Sequence, residues 1–137
     1  MSQPNTFTVA GVQCDPQIGH PLQNLEMIAD WAAQAHNAGA SLVIFPECAV
    51  SGYCFDSHEE GLAIAEPIPG PSTNSLAAIA RKLGIHLIAG MLERDGDQLY
   101  NVAAIVGPEG LLGHYRKIHL PFLGVDRFTT NGQDGFQ

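Results

Sequence analysis

This sequence has few cysteines, few basic residues and no long apolar run. Its three cysteines, Cys14, Cys48 and Cys54, form no CxxC pair, which excludes a disulfide framework and a zinc knuckle and leaves reduced thiols. Only 6 Lys and Arg stand against 14 acids, for a formal charge of -8. That balance argues against nucleic acid or an anionic membrane as partner and leaves small neutral or cationic ligands open. No apolar stretch approaches the roughly 18 residues that span a bilayer, and residues 1–5 show no basic segment leading into an apolar one, so a soluble cytoplasmic protein is expected. Charged residues make up only 15% of the chain, against roughly 25% in ordinary soluble domains, and the shortfall points to extensive buried or interfacial surface. There is no HExxH, and His114 and His119 fall on opposite faces of an extended chain. Neither a metal nor a cofactor is expected.

What is present reads as alternating strands and helices. Residues 6–14 carry apolar side chains on both faces, Phe7 and Val9 on one and Ala10, Val12 and Cys14 on the other, so the first strand should be covered on both sides. Pro21 suits the first turn of a helix over residues 21–38, Leu22, Leu25, Ala29, Ala32 and Ala35 recur at helical spacing, and Gly39 can close it in a left-handed conformation. The run Leu42-Val43-Ile44-Phe45 has the pattern of a strand buried on both faces of a parallel sheet, and strand, helix, strand makes one βαβ unit. Ser72 or Thr73 can cap a second helix with Leu76, Ile79, Ala80 and Leu83 on one face and Gly84 at its end. Residues 85–93, 99–106 and 111–120 then form an antiparallel meander turned at Asp95-Gly96 and at Pro108-Glu109-Gly110. The connection from residue 51 to 71 is the longest irregular stretch, and residues 129–137 are polar and glycine-rich.

Two positions invite chemistry. Phe45-Pro46-Glu47 sets a carboxylate just past the C-terminal end of a buried strand, where open α/β sheets bind ligands, a good place for a general base. The alternative is a capping or ion-paired surface glutamate. On the last strand Tyr115, Lys117 and His119 share one face, where an ammonium can stabilise an oxyanion or give a proton to a leaving amine; the alternative is a solvated lysine on a sheet edge. Cys48 adjoins Glu47 but points to the opposite face of an extended chain, and reads as a packing residue. Cys54, flanked by Tyr53 and Phe55, reads as a small buried hydrophobe, with a relocated nucleophile as the other possibility.

Together, Leu42-Val43-Ile44-Phe45-Pro46-Glu47 with Ser51-Gly52-Tyr53, and Tyr115-Arg116-Lys117-Ile118-His119-Leu120-Pro121, resemble the first two signature blocks of the nitrilase, or carbon-nitrogen hydrolase, superfamily. The likeness also takes in Gln13-Cys14-Asp15-Pro16, the strand around Asn101, and residues 122–131. It implies an α/β fold, the N-terminal half of a nitrilase-type α-β-β-α sandwich, with residues 1–137 an incomplete part of one domain. It implies a Glu-Lys-Cys triad that hydrolyses a small-molecule amide or nitrile, with Glu47 the proton acceptor and Lys117 the proton donor. The nucleophilic cysteine would follow Lys117 on a strand-to-helix turn, and no cysteine follows Lys117 in this sequence. A fragment without turnover of its own is therefore expected, homo-oligomeric when full length. Asp126 is the nearest candidate for a second acid between lysine and nucleophile, although its side chain is shorter and its register departs from the pattern; Asn131-Gly132 stands where Pro-Gly is commoner. The other reading is a short non-catalytic interaction or regulatory module derived from the same fold.

Overall fold

The computed structural model describes residues 6–135. The opening residues 1–5, read above as no leader, and the last two of the polar tail lie outside that range. A five-stranded sheet runs in sequence order, β1 (Val9–Gly11), β2 (Leu42–Ile44), β3 (His86–Asp95), β4 (Gln98–Gly107) and β5 (Gly110–Arg116). β1, β2 and β3 are parallel, and β3, β4 and β5 form the antiparallel meander. The parallel half needs crossovers. α1 (Pro21–Asn37) joins β1 to β2, and α2 (His58–Ile64) and α3 (Pro71–Leu83) lie between β2 and β3.

Local sequence explains most of these boundaries. Pro21 opens α1, where its missing N–H costs no hydrogen bond. Leu25, Ile28 and Ala32, at helical spacing, are buried. α3 closes on Gly84, whose φ of 68 is the left-handed conformation a side chain disfavours. Its start corrects the expected cap: Gly70 holds the cap position and Pro71 opens the helix, while Thr73 Oγ1 accepts the Gly70 N–H at 2.8 Å from inside the first turn.

The stretch 51–71 is not irregular throughout, because α2 lies within it. Ser57 Oγ accepts the Glu60 N–H at 3.1 Å, and Glu60 Oε2 accepts the Asp56 N–H at 2.8 Å, a local exchange of the capping-box kind. Gly61 lets α2 press onto the sheet, since a Cβ there would meet Leu99 Cδ2 at 2.9 Å.

The two sheet faces differ. Leu87, Ala89, Met91, Val102, Ala104 and Val106 face α1 and α3 and form one buried core with Ile28, Leu76 and Ala80. On the opposite face, one end is covered by a smaller cluster of Phe55, Leu92, Leu99 and Val125, joined by Tyr53 and Leu62. The other end is bare: Ile44 is 38% exposed and Ile105 36%. Expected burial on both faces therefore fails for β2 and for β1, where Val9 is 49% exposed, because among the described residues no second layer covers them. No helix among these residues is long and apolar enough to cross a membrane.

Candidate active site

Glu47 and Lys117 meet where the covered and bare parts of the open face join. Lys117 lies one residue past the end of β5, and its backbone N–H still bonds Asn101 O at 2.8 Å. Parity then puts its side chain on the face that carries Gly90, Ala103 and Tyr115, not on the helix face. Glu47 reaches the same place because the chain leaves β2 through Pro46 and crosses directly over Gly90. A Cβ at Gly90 would sit 2.3 Å from Cys48 N and 2.7 Å from Glu47 Cα, so no larger residue leaves room for this crossing. Cys48 takes up the turn with φ of 52, uncommon for a residue with a side chain.

The ammonium of Lys117 lies 2.6 Å from Glu47 Oε1 and 2.7 Å from Asp126 Oδ2. Asn101 Nδ2 donates to the same two carboxylates, at 2.6 Å to Glu47 Oε1 and 2.8 Å to Asp126 Oδ1. Two acids are thus bridged by one ammonium and one amide. The acids are not equivalent: the side chain of Glu47 is 44% exposed and that of Asp126 is fully buried. Asp126 lies on a 3-10 turn, Gly124–Arg127, held by Tyr53, whose carbonyl accepts the Val125 N–H and whose hydroxyl donates to Leu123 O, both at 2.8 Å. Burial lowers the affinity of Lys117 for its proton, but the hydrogen bonds to Asp126 and then Glu47 outweigh it and hold the ammonium well above the ordinary lysine range. It is a charged donor at any physiological pH. A cleft of about 450 Å³ opens beside it, lined by Ile44, Phe45, Glu47, Ala103, Tyr115 and Lys117.

The structure brings Glu47, Lys117 and Asp126 together, with Tyr115 lining the same cleft and Cys48 buried beneath Asn101, and leaves His119 and Cys54 exposed. Asp126, doubtful from its register and length, reaches Lys117 because the 3-10 turn carries its backbone inward. His119 does not continue a strand face with Lys117, since β5 stops at Arg116 and His119 is exposed. Cys48 is buried as read, with Sγ 3.8 Å from Asn101 Oδ1. Burial first, and then the Glu47 charge, push its thiol up to about 12, far from a nucleophile at neutral pH. Cys54 is exposed, which corrects its reading as a buried hydrophobe: the aromatics beside it, Tyr53 and Phe55, turn inward and leave it at the surface. Asn101 carried no assigned role, although an amide inside the apolar run Leu99 to Val106 is a signal that it serves something besides packing.

Comparison with known proteins follows the same lines. A family model described as carbon-nitrogen hydrolase matches residues 8–134. The chain is 44% identical over 130 residues to a nitrilase of Pyrococcus abyssi, covering 94% of this chain and 49% of that protein. It is 42% identical over 99 residues to the omega-amidase NIT2 of Danio rerio, covering 71% of this chain and 35% of that one. The structure superposes on the crystal structure of an N-terminal amidase with a TM-score of 0.81 and 28% identity, over 94% of this chain and 32% of that one. The chain thus spans half or less of the length of each of these proteins.

Proposed function

The chain belongs to the carbon-nitrogen hydrolase family, and from that premise we propose that Glu47 and Lys117 are the proton acceptor and proton donor of amide or nitrile hydrolysis by a cysteine thiol. The observation that carries this reading is the single ammonium held at once against exposed Glu47 and buried Asp126. Glu47 takes the proton of the thiol, and the thiolate sulfur bonds to the amide carbon. The oxygen of that carbon becomes an anion facing the third N–H of Lys117. As the carbon-nitrogen bond breaks, Lys117 gives the nitrogen a proton and recovers one from Glu47 across their short contact. A thioester remains. Water, deprotonated by Glu47, attacks the thioester, the acid departs and the thiol regains its proton. Asp126 reaches no substrate in this scheme and keeps Lys117 charged and aimed.

The thiol is not one of the three in this sequence. Cys48 is sealed and protonated, Cys54 faces solvent from a loop, and the half-buried Cys14 has its thiol pushed up by burial and then by the charge of Asp15, so we place the nucleophile outside these 137 residues; the greater length of the relatives supports this. On this reading residues 1–137 are the N-terminal part of one hydrolase domain, and the chain alone does not turn over. Acid quenching of the natural gene product during reaction with an amide, followed by peptide mass spectrometry, should find the acyl group on a cysteine that follows residue 137 in the gene. An acyl group on Cys14, Cys48 or Cys54 would refute the assignment. The bare apolar face around Ile44 and Ile105 favours a second reading, a non-catalytic module that pairs with a relative through that face. A concentration-independent monomer in sedimentation would remove it.

A further inference from the structure

Beneath the site, on the helix face of the sheet, lies an ion pair that the proposed chemistry does not use. Glu93 on β3 is 3% exposed. Arg116, the last residue of β5 and the neighbour of Lys117, donates to it through Nε and Nη2, each at 2.7 Å. The same guanidinium lies 3.9 Å from the ring centroid of Tyr100 on β4, between the two strands it ties, and Nη2 also reaches Asp95 Oδ2 at 3.0 Å. His114 Nε2 stands 3.8 Å from Glu93 on the same face.

We propose that Arg116 is a positioning residue for Lys117, its forked pair with buried Glu93 bracing the strand end from which the ammonium rises on the opposite face. The brace adds to two backbone bonds at Lys117, from its N–H to Asn101 O at 2.8 Å and from the Gly132 N–H to its carbonyl at 2.9 Å, neither of which ties β5 to β3. Among the described residues β5 has a strand on one side only, and its pairing with β4 shifts register at Ile105 and Val106, so the hairpin turn does not by itself fix the far end. Lys117 must meet two carboxylates on different loops at once, and sliding one residue along a strand moves a side chain by about 3.3 Å and turns it to the other face. The Arg116 pair runs diagonally across β4 to β3, the strand on which Gly90 seats Glu47, so it ties the platforms of both proton-transfer groups. The planar fork is needed: a lysine at 116 keeps the charge and loses the two parallel bonds and the stacking on Tyr100.

The inference rests on Lys117 as proton donor, but its test reads the geometry of Lys117 alone. In the isotope-labelled natural full-length gene product, the Lys117 ammonium resonance is identified by its loss in Lys117→Met, and its hydrogen-exchange rate is measured in wild type and variants. Arg116→Lys should exchange about tenfold faster, the factor expected when a charge-assisted hydrogen bond loosens, with far-UV circular dichroism unchanged. Leu76→Val, which weakens the helix-side core without touching the pair, should leave that rate as it is while lowering Tm. Unchanged exchange in Arg116→Lys would overturn the proposal and leave Arg116 a structural residue only, and so would an equal acceleration in Leu76→Val. Glu93→Asp, which keeps the charge and shortens the reach, should fall between wild type and Arg116→Lys and provides the reading if Arg116→Lys does not fold. Failure of the catalytic reading shows itself elsewhere, as hydrolysis that survives Lys117→Met.

Discussion

The two faces of one sheet are put to different uses. Against α1 and α3 the strands present a continuous apolar surface, and the charge they bury there, Glu93, is matched by two bonds from one guanidinium. On the other face the apolar cover extends only as far as Phe55, Leu92, Leu99 and Val125, and Glu47, Lys117 and Asp126 stand at its margin. The difference teaches where stability and chemistry reside. Close packing supplies most of the folding energy, whereas a proton-transfer pair must be partly desolvated, to strengthen its electrostatics, and still reachable by substrate. The edge of a small cluster meets both needs, with Asp126 sealed and Glu47 exposed.

The largest effect should separate the faces by stability. Leu87→Ala removes a fully buried helix-face side chain and should cost about 2–5 kcal/mol in urea unfolding, while Ile105→Ala on the bare face should cost less than about 1 kcal/mol. Equal losses would erase the distinction. Next, Gly90→Ala forces a methyl into the Glu47–Cys48 backbone and should cost about 1–3 kcal/mol by overpacking. It should also pull Glu47 away from Lys117, visible as faster exchange of the Lys117 ammonium.

A smaller effect lies in the alkaline limb. The pKa of Lys117 is raised in the folded state above its ordinary value of 10.5, so the folded protein holds that proton more tightly than the unfolded chain. The stability this confers is fully present below the unfolded pKa and is lost as pH rises through the folded one. The advantage of wild type over Lys117→Met should therefore be constant up to the ordinary lysine pKa of 10.5 and shrink only at more alkaline pH, as followed by thermal unfolding at stepped pH. The mildest perturbation leaves the fold untouched: iodoacetamide at neutral pH should label Cys54 and spare Cys48 until the chain unfolds, as read by peptide mass spectrometry.

Much of this was legible in the chain. The helix over Pro21–Asn37 follows from apolar residues at helical spacing between a proline start and a glycine stop, that over Pro71–Leu83 from the same spacing and its glycine stop but not from its start, and the meander from its two turn sequences. Strand parity placed Tyr115 and Lys117 on one face, and the structure puts both beside one cleft. What escaped is long-range or short. α2 is a two-turn helix whose signal, Ser57 followed by Glu60, was swamped by the glycines and prolines around it. Bare Ile44 and Val9 could not be told from buried ones, because an apolar strand reads the same whether or not a second layer covers it. Asn101 joins the site across β4, where an amide in an apolar run signals a role without saying which, and Asp126, named only through the family resemblance, meets Lys117 through a 3-10 turn that its register in the sequence does not reveal.

The central claim is that Glu47 and Lys117 move the protons of carbon-nitrogen bond hydrolysis. Its most direct test is ammonia release from simple aliphatic amides and nitriles by the natural full-length gene product, compared with its Lys117→Met and Glu47→Gln variants at matched folding. The account predicts that either variant lowers kcat by about 10²–10⁴, with substrate binding far less affected. Hydrolysis at the wild-type rate in Lys117→Met or Glu47→Gln would contradict it.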